Sequence, residues 1–209
     1  MISFDERAKD WDSDPAKVER ARVVAEAIRA AVSLSPGMTA LEYGCGTGLL
    51  SFALNQEFAS ITLADTSQGM LDVLSEKIKA AGVATMHPLR LDLSSDPLPD
   101  SRYGIIYSLM TLHHIPDTDK VLGRFHRILN AGGYLCIADL EKEDGSFHGA
   151  DVTDVHKGFD RPALKHQLEA AGFSDITFSS VSAVRKPVDG LEKAFPLFLM
   201  IARKASKAQ

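Results

Sequence analysis

Gly44, Gly46 and Gly48 stand two residues apart in the run Glu42-Tyr43-Gly44-Cys45-Gly46-Thr47-Gly48, directly after the apolar stretch Thr39-Ala40-Leu41. Glycines in such a loop permit positive φ and let the backbone approach a ligand closely. A helix running from there to about Asn55 would add the partial positive charge of its N-terminus. Asp65 closes the next β-branched run, Ile61-Thr62-Leu63-Ala64-Asp65, 17 residues after Gly48. A carboxylate at that place can accept both hydroxyls of a ribose. Asp92 closes the run after that, where a second carboxylate could take the amino group of a base. Together these residues describe a pocket for an adenosine-bearing ligand. A dinucleotide loop of the form G-x-G-x-x-G would need a third glycine where this chain has Leu49. Glu42, two residues before the first glycine, disfavours a pyrophosphate and suits a ligand with cationic groups.

Other residue types capable of chemistry fall in three places. His113 and His114 follow an apolar strand in LMTLHHIPD. A neutral imidazole there could take a proton from an acceptor. His148, Asp151, Asp154 and His156 fall within nine residues of FHGADVTDVHKGFD. These are metal-ligand types, but their spacing fits no helical pair or zinc pattern, so no metal is expected. A loop lining an acceptor pocket, with His156 near the acceptor, is the better reading. Trp11 and Phe4 could close over a bound ligand from the N-terminus, or simply dock a helix. Cys45 is a small loop residue and Cys136 alternates within a strand as core.

These residues need a scaffold. Asp14 is a good N-cap with Pro15 at the first helical position. Val18, Ala21, Ala25, Ile28 and Val32 then make one apolar stripe. A strand over 39–43, a helix to about 55, a strand over 61–65 and a helix carrying Leu71, Leu74, Ile78 and Ala81 follow, with Gly82 after its end. Further strands end near Asp92, run over 103–109 (YGIIYSL) and include YLCIADL. The fourth helix buries Val121, Leu122, Phe125, Ile128 and Leu129; another spans about 162–171. Two late strands are expected near 175–184 and 195–203, and the apolar stretch Phe195–Met200 is either core or an edge used for pairing. Strands alternating with helices predict an α/β, doubly wound, three-layer fold with parallel βαβ units. Ligands in such folds sit beyond the carboxyl ends of the strands.

The segments LEYGCGTGLLSF, ITLADTSQGML, LRLDLSSDPLP, YGIIYSLMTLHHIPD and RILNAGGYLCIADL cover residues 41–140. In order and spacing they resemble the class I S-adenosylmethionine-dependent methyltransferases, in the small single-domain type 11 group. The resemblance implies a Rossmann-like seven-stranded sheet of order 3-2-1-4-5-7-6, with strand 7 antiparallel. It implies S-adenosylmethionine as cofactor. Glu42, Gly44, Cys45, Gly46 and Gly48 would surround its methionine part, and Asp65, Thr66 and Met70 its ribose. Asp92 and Leu93 would bind the adenine, Ser108 would lie by the sulfonium, and Trp11 would belong to a lid. Tyr103-Gly104 departs from the Phe-Asp common in the family.

The chain has 209 residues, 45% of them hydrophobic, which suits a single domain spanning 1–209 with residues 1–35 as an N-terminal helical lid. Its formal charge of −5 argues against a nucleic-acid binder. With no apolar run of membrane length and no secretory signal, a cytoplasmic monomer or homodimer is expected. Two cysteines cannot form a disulfide framework. The absence of an Asn/Asp-Pro-Pro-aromatic tetrad after the fourth strand argues against methylation of adenine, cytosine or glutamine amides. Methyl transfer to a small-molecule acceptor is the expected function. A non-catalytic S-adenosylmethionine-binding module and an NAD-dependent oxidoreductase are the alternatives.

Overall fold

The computed structural model describes residues 4–148, 152 and 154–206. Asp151 lies outside them. Seven strands form one sheet: β1 (Thr39–Tyr43), β2 (Ser60–Asp65), β3 (Met86–Arg90), β4 (Tyr103–Leu109), β5 (Leu129–Leu140), β6 (Phe173–Val188) and β7 (Leu191–Lys204). Their order is β3-β2-β1-β4-β5-β7-β6. The first five pair in parallel, whereas β7 runs antiparallel to both β5 and β6. Helices cover both faces, so the buried strands read as continuous apolar runs. One face packs Leu41, Tyr43, Ile106 and Ile137 against α5 (Thr118–Ile128) and α6 (Arg161–Ala170). The other packs Ala40, Ile61, Leu63 and Tyr107 against α2 (Pro15–Ala31), α3 (Leu49–Leu54) and α4 (Gln68–Ala81).

The differences from the sequence expectations have physical causes. In α2 the Asp14 side chain accepts from Ala16 N, as its capping role requires. Val18 in the first turn is nonetheless 43% exposed, because the helix packs only further along, through Ala21, Val24, Ala25 and Ile28. Ala81 is exposed at the end of α4, just before Gly82 turns out of the helix at φ 64°. Leu129 starts β5 instead of ending α5, with an irregular register opposite Tyr103 and Ile105. Tyr103-Gly104 does not disturb the start of β4. A Cβ on Gly133 would come within 2.9 Å of the Gly104 carbonyl oxygen, so the two chains approach closely there. The last two strands form a longer hairpin than their hydrophobic cores suggested. Phe195–Met200 lies inside the sheet between β5 and β6, so it is core and not a free edge.

Residues 4–13 form a short helix α1 (Phe4–Arg7) and a 3-10 segment (Ala8–Ser13). They lie over the carboxyl rim, whereas α2 belongs to a helical layer of the fold. No helix among the described residues is long and apolar enough to cross a membrane.

Candidate functional site

The loop after β1 is built on left-handed backbone, with φ of 71° at Gly44, 52° at Gly46 and 80° at Gly48. The three glycines do different work. A Cβ on Gly44 would overlap the Thr111 side chain, and one on Gly48 would come within 2.6 Å of Leu74. Those two serve close packing. At Gly46 a Cβ would stand 3.8 Å from Trp11 Nε1 and 3.9 Å from Met70 Sδ, in a cradle that a side chain would begin to fill. Gly46→Ala should therefore weaken ligand binding by more than about tenfold, since positive φ costs alanine about 1–2 kcal/mol and its methyl enters the cradle. Its melting temperature should fall less than that of Gly48→Ala, which must also displace Leu74. Calorimetry and thermal denaturation of the two variants check this.

Asp65 ends β2 and braces the loop: its carboxylate accepts from Gly46 N at 2.7 Å and Ser67 N at 2.9 Å. Met70 is buried beneath the loop. Asp92, after β3, accepts from Ser94 N at 2.7 Å and Ser95 Oγ at 3.0 Å. Burial pushes its carboxyl up, but these hydrogen bonds outweigh it and leave the group more acidic than usual. Asp92 and Thr66 share an open cleft of about 370 Å³ with Arg90, Ser95 and Asp96. Leu93 is core, and its N–H donates to Tyr43 Oη at 3.0 Å. Ser108 is also buried and ties β4 to β1 by donating to the Tyr43 carbonyl at 2.8 Å. The Cys45 side chain packs into the core, where burial raises its thiol well above the ordinary value. Cys136 is core as well.

Glu42 is not at the rim beside Asp65 and Asp92. It is 2% exposed and lies under the loop, where Ser51 donates to it from both N, at 3.1 Å, and Oγ. Ser51 Oγ in turn meets Tyr107 Oη at 2.7 Å. Burial raises the Glu42 carboxyl to about 8, and the Ser51 hydrogen bonds only partly offset this. Near neutral pH it is therefore largely protonated, and a cation above the loop would favour its ionised form.

The N-terminal segment closes over this rim. Asp5 accepts from Ser67 Oγ at 2.5 Å and Gly69 N at 2.8 Å at the start of α4. Asp12 pairs with Lys77 and accepts from Thr47 Oγ1. Lys17 Nζ sits 3.9 Å over the Trp11 ring, and Phe4 packs edge-on against both Trp11 and His114. Asp12→Asn should speed amide exchange of residues 4–13, because it removes the charge that holds Lys77. The cost to global stability should stay below about 1 kcal/mol, as for other partly exposed pairs. Sequence reasoning found Trp11 and Phe4 but missed Asp5, Asp12 and Lys77. Their partners are 30 or more positions away, and no local pattern marks them.

His113 and His114 follow β4 in the 3-10 turn Leu112–His114. His113 is 1% exposed, and its Nδ1 donates to Asp139 Oδ1 at 2.6 Å. Asp139, fully buried at the end of β5, also accepts from the backbone N–H of His113 and of Leu140. The sequence did carry a sign of Asp139: an acid inside the otherwise apolar YLCIADL. His148 comes from the following loop to within ring contact of His113 and His114, at centroid distances of 5.0 and 5.1 Å. Burial lowers both His114 and His148 to about 4. His156 donates its backbone N–H to the His113 carbonyl at 2.8 Å, but its ring turns away, with Nε2 at 2.9 Å from the Ile115 carbonyl and beside Phe159. Asp154 is exposed. Among the described residues, His148 thus packs against His113 and His114, while the His156 ring stands by Ile115 and Phe159.

Known proteins match this geometry. The methyltransferase-domain family model matches residues 41–137. The ubiquinone/menaquinone biosynthesis C-methyltransferase UbiE of Vibrio vulnificus is 32% identical over 70% of this chain and 68% of its own length. The chain belongs to the class I S-adenosylmethionine-dependent methyltransferases. An uncharacterized methyltransferase of Schizosaccharomyces pombe is 32% identical over 54% of this chain, which spans only 42% of that protein's length. Among solved structures, the Haemonchus contortus phosphoethanolamine N-methyltransferase 2, in complex with S-adenosyl-L-methionine, superposes with a TM-score of 0.73 at 15% identity. That match covers 99% of this methyltransferase and 61% of the other chain. The methyltransferase bound to the Haloferax volcanii Trm112 activator gives 0.79 at 17% identity, over 98% and 99% of the two chains. These two likenesses concern the fold of the methyltransferase alone.

Proposed function

We propose that this protein transfers the methyl group of S-adenosylmethionine to a small-molecule acceptor. The observation that carries the reading is the cradle at Gly46. An adenosyl ligand lying along the rim from there would pass Asp65 and reach the cleft at Asp92, while Trp11 covers it. In this reading the backbone of Gly44, Gly46 and Gly48 holds the methionine part, with Glu42 ionising beneath it. Asp65 takes the ribose hydroxyls, flanked by Thr66 and Met70, and Asp92 takes the adenine amino group. Cys45, Leu93 and Ser108 would contribute by position, since the Cys45 and Leu93 side chains are core and the Ser108 hydroxyl is held by the Tyr43 carbonyl.

The bound cofactor supplies an electrophilic methyl group, and the protein's part is alignment and exclusion of water. Thr111 and His113–His114 follow β4 next to the glycine loop, so an acceptor would approach from that side. The Asp139 carboxylate holds His113 in the tautomer that leaves Nε2 as a lone-pair acceptor. His114 faces the same space, and His156, turned toward Ile115, supports the loop. The Vibrio relatives are named as C-methyltransferases of ubiquinone and menaquinone biosynthesis, so quinol-like aromatics belong first in an acceptor panel.

The test supplies S-adenosylmethionine with a labelled methyl group and follows S-adenosylhomocysteine release across that panel. Labelled product with at least one acceptor is expected. Cofactor binding with no turnover on a broad panel would favour the non-catalytic module, and binding of NAD in place of S-adenosylmethionine would overturn the reading.

A further inference from the structure

Two buried ring nitrogens, His113 Nε2 and His148 Nε2, have no hydrogen-bond partner among the described residues. A buried polar atom left unpaired costs free energy, so it calls for an explanation. Both belong to one cluster. His113, His114 and His148 each present one nitrogen, and these atoms all lie within 4.8 Å of one another.

We propose that His113, His114 and His148 form a binding site for a divalent transition metal of the zinc type. Three imidazoles with an open fourth position are a common donor set for zinc bound at about 2.0–2.1 Å. Tetrahedral ligands at that distance stand about 3.4 Å apart, so the nitrogens must close by roughly 1.4 Å at most. His114 and His148 are only half-buried, and turning their side chains can supply that movement. His113 need not move. Asp139 already fixes its ring from the far nitrogen at 2.6 Å, which is the carboxylate–histidine–metal arrangement that orients a ligand and raises its basicity. A metal held there stands across one imidazole from a fully buried carboxylate, which offsets part of its charge. Lys186, close to the Phe147 carbonyl and ring, and Arg7 act on His148 with the opposite sign.

The site lies under the lid, where Phe4 touches His114, and on the side from which an acceptor would approach. Its fourth position is open to an oxygen or sulfur of that acceptor, whose proton would become more acidic on binding. The sequence pointed away from this set. It grouped His148 with Asp151, Asp154 and His156, whereas the fold brings His148 to His113 and His114, 34 or more residues earlier.

The untagged chain, dialysed against a chelator, is titrated with Co²⁺ and then with Zn²⁺. Saturable binding of one Co²⁺ with the visible bands of a tetrahedral complex is expected, followed by their loss as Zn²⁺ displaces it. His114→Ala and His148→Ala should each weaken binding by more than about 100-fold, and Asp139→Asn by about 10–100-fold. Circular dichroism and S-adenosylhomocysteine binding, measured on the same samples, show that each variant is folded and report separately on the cofactor site. Absence of saturable Co²⁺ binding by the folded chain would overturn the proposal. So would equal affinity in folded His148→Ala.

Discussion

Glu42→Gln should melt well above the parent protein at pH 8.5 and bind S-adenosylmethionine more weakly. Burial lifts this carboxyl from 4.5 to about 8. Because the folded state holds its proton more tightly than the unfolded chain, Glu42 lowers stability progressively as pH rises from about 4.5 to about 8. Above both values the cost is on the order of 3–5 kcal/mol. Glutamine keeps the shape and an acceptor oxygen for Ser51 without the buried charge. For a chain of this size the gain corresponds to an upward shift on the order of 10 °C, shrinking to little at pH 4. The loss appears in binding, because the ionised Glu42 that a cationic ligand would stabilise is gone; a weakening of about tenfold or more is expected. Melting curves from pH 4 to 9 and calorimetry at pH 8.5 read both effects. A melting difference independent of pH would show that Glu42 is not the desolvated acid described above.

Asp65→Ala should show the largest loss of cofactor affinity among single changes at the rim. Its two oxygens hold Gly46 N and Ser67 N, so it ties the glycine loop to the start of α4. Removing it frees the loop at the residue whose backbone forms the cradle, and also removes the acceptor proposed for the ribose. Charge-assisted hydrogen bonds of this kind contribute about 1.5–3 kcal/mol, so affinity should fall roughly 10- to 150-fold. Asp65→Asn offers one acceptor oxygen for two N–H groups and should fall between the parent and alanine. An unchanged dissociation constant in folded Asp65→Ala would remove the residue from the site.

The rim was largely legible from the sequence because its elements are local. The glycine loop follows β1, Asp65 ends β2 and Asp92 follows β3, and the strand order brings those ends side by side. Short apolar runs placed β1 and β4 at their observed bounds. What could not be read is long-range. The depth of Glu42 depends on Ser51 and Tyr107 closing over it, 9 and 65 positions later in the chain. The pairing of His113 with Asp139 depends on β4 and β5 lying adjacent, and the arrival of His148 depends on a loop path with no sequence signature. His113 and His148 lie 35 positions apart, and the loop between them carries no period that would announce their contact.

A cationic nucleoside held at the carboxyl rim would lie over the buried Glu42 carboxyl group. Titration calorimetry of S-adenosylmethionine and S-adenosylhomocysteine at pH 7.5, in two buffers of different ionisation enthalpy, tests it most directly. Dissociation constants on the order of micromolar are predicted for both. S-adenosylmethionine should also give a buffer-dependent heat of proton release that disappears in Glu42→Gln. A folded protein that gives no binding heat with either ligand would contradict the account.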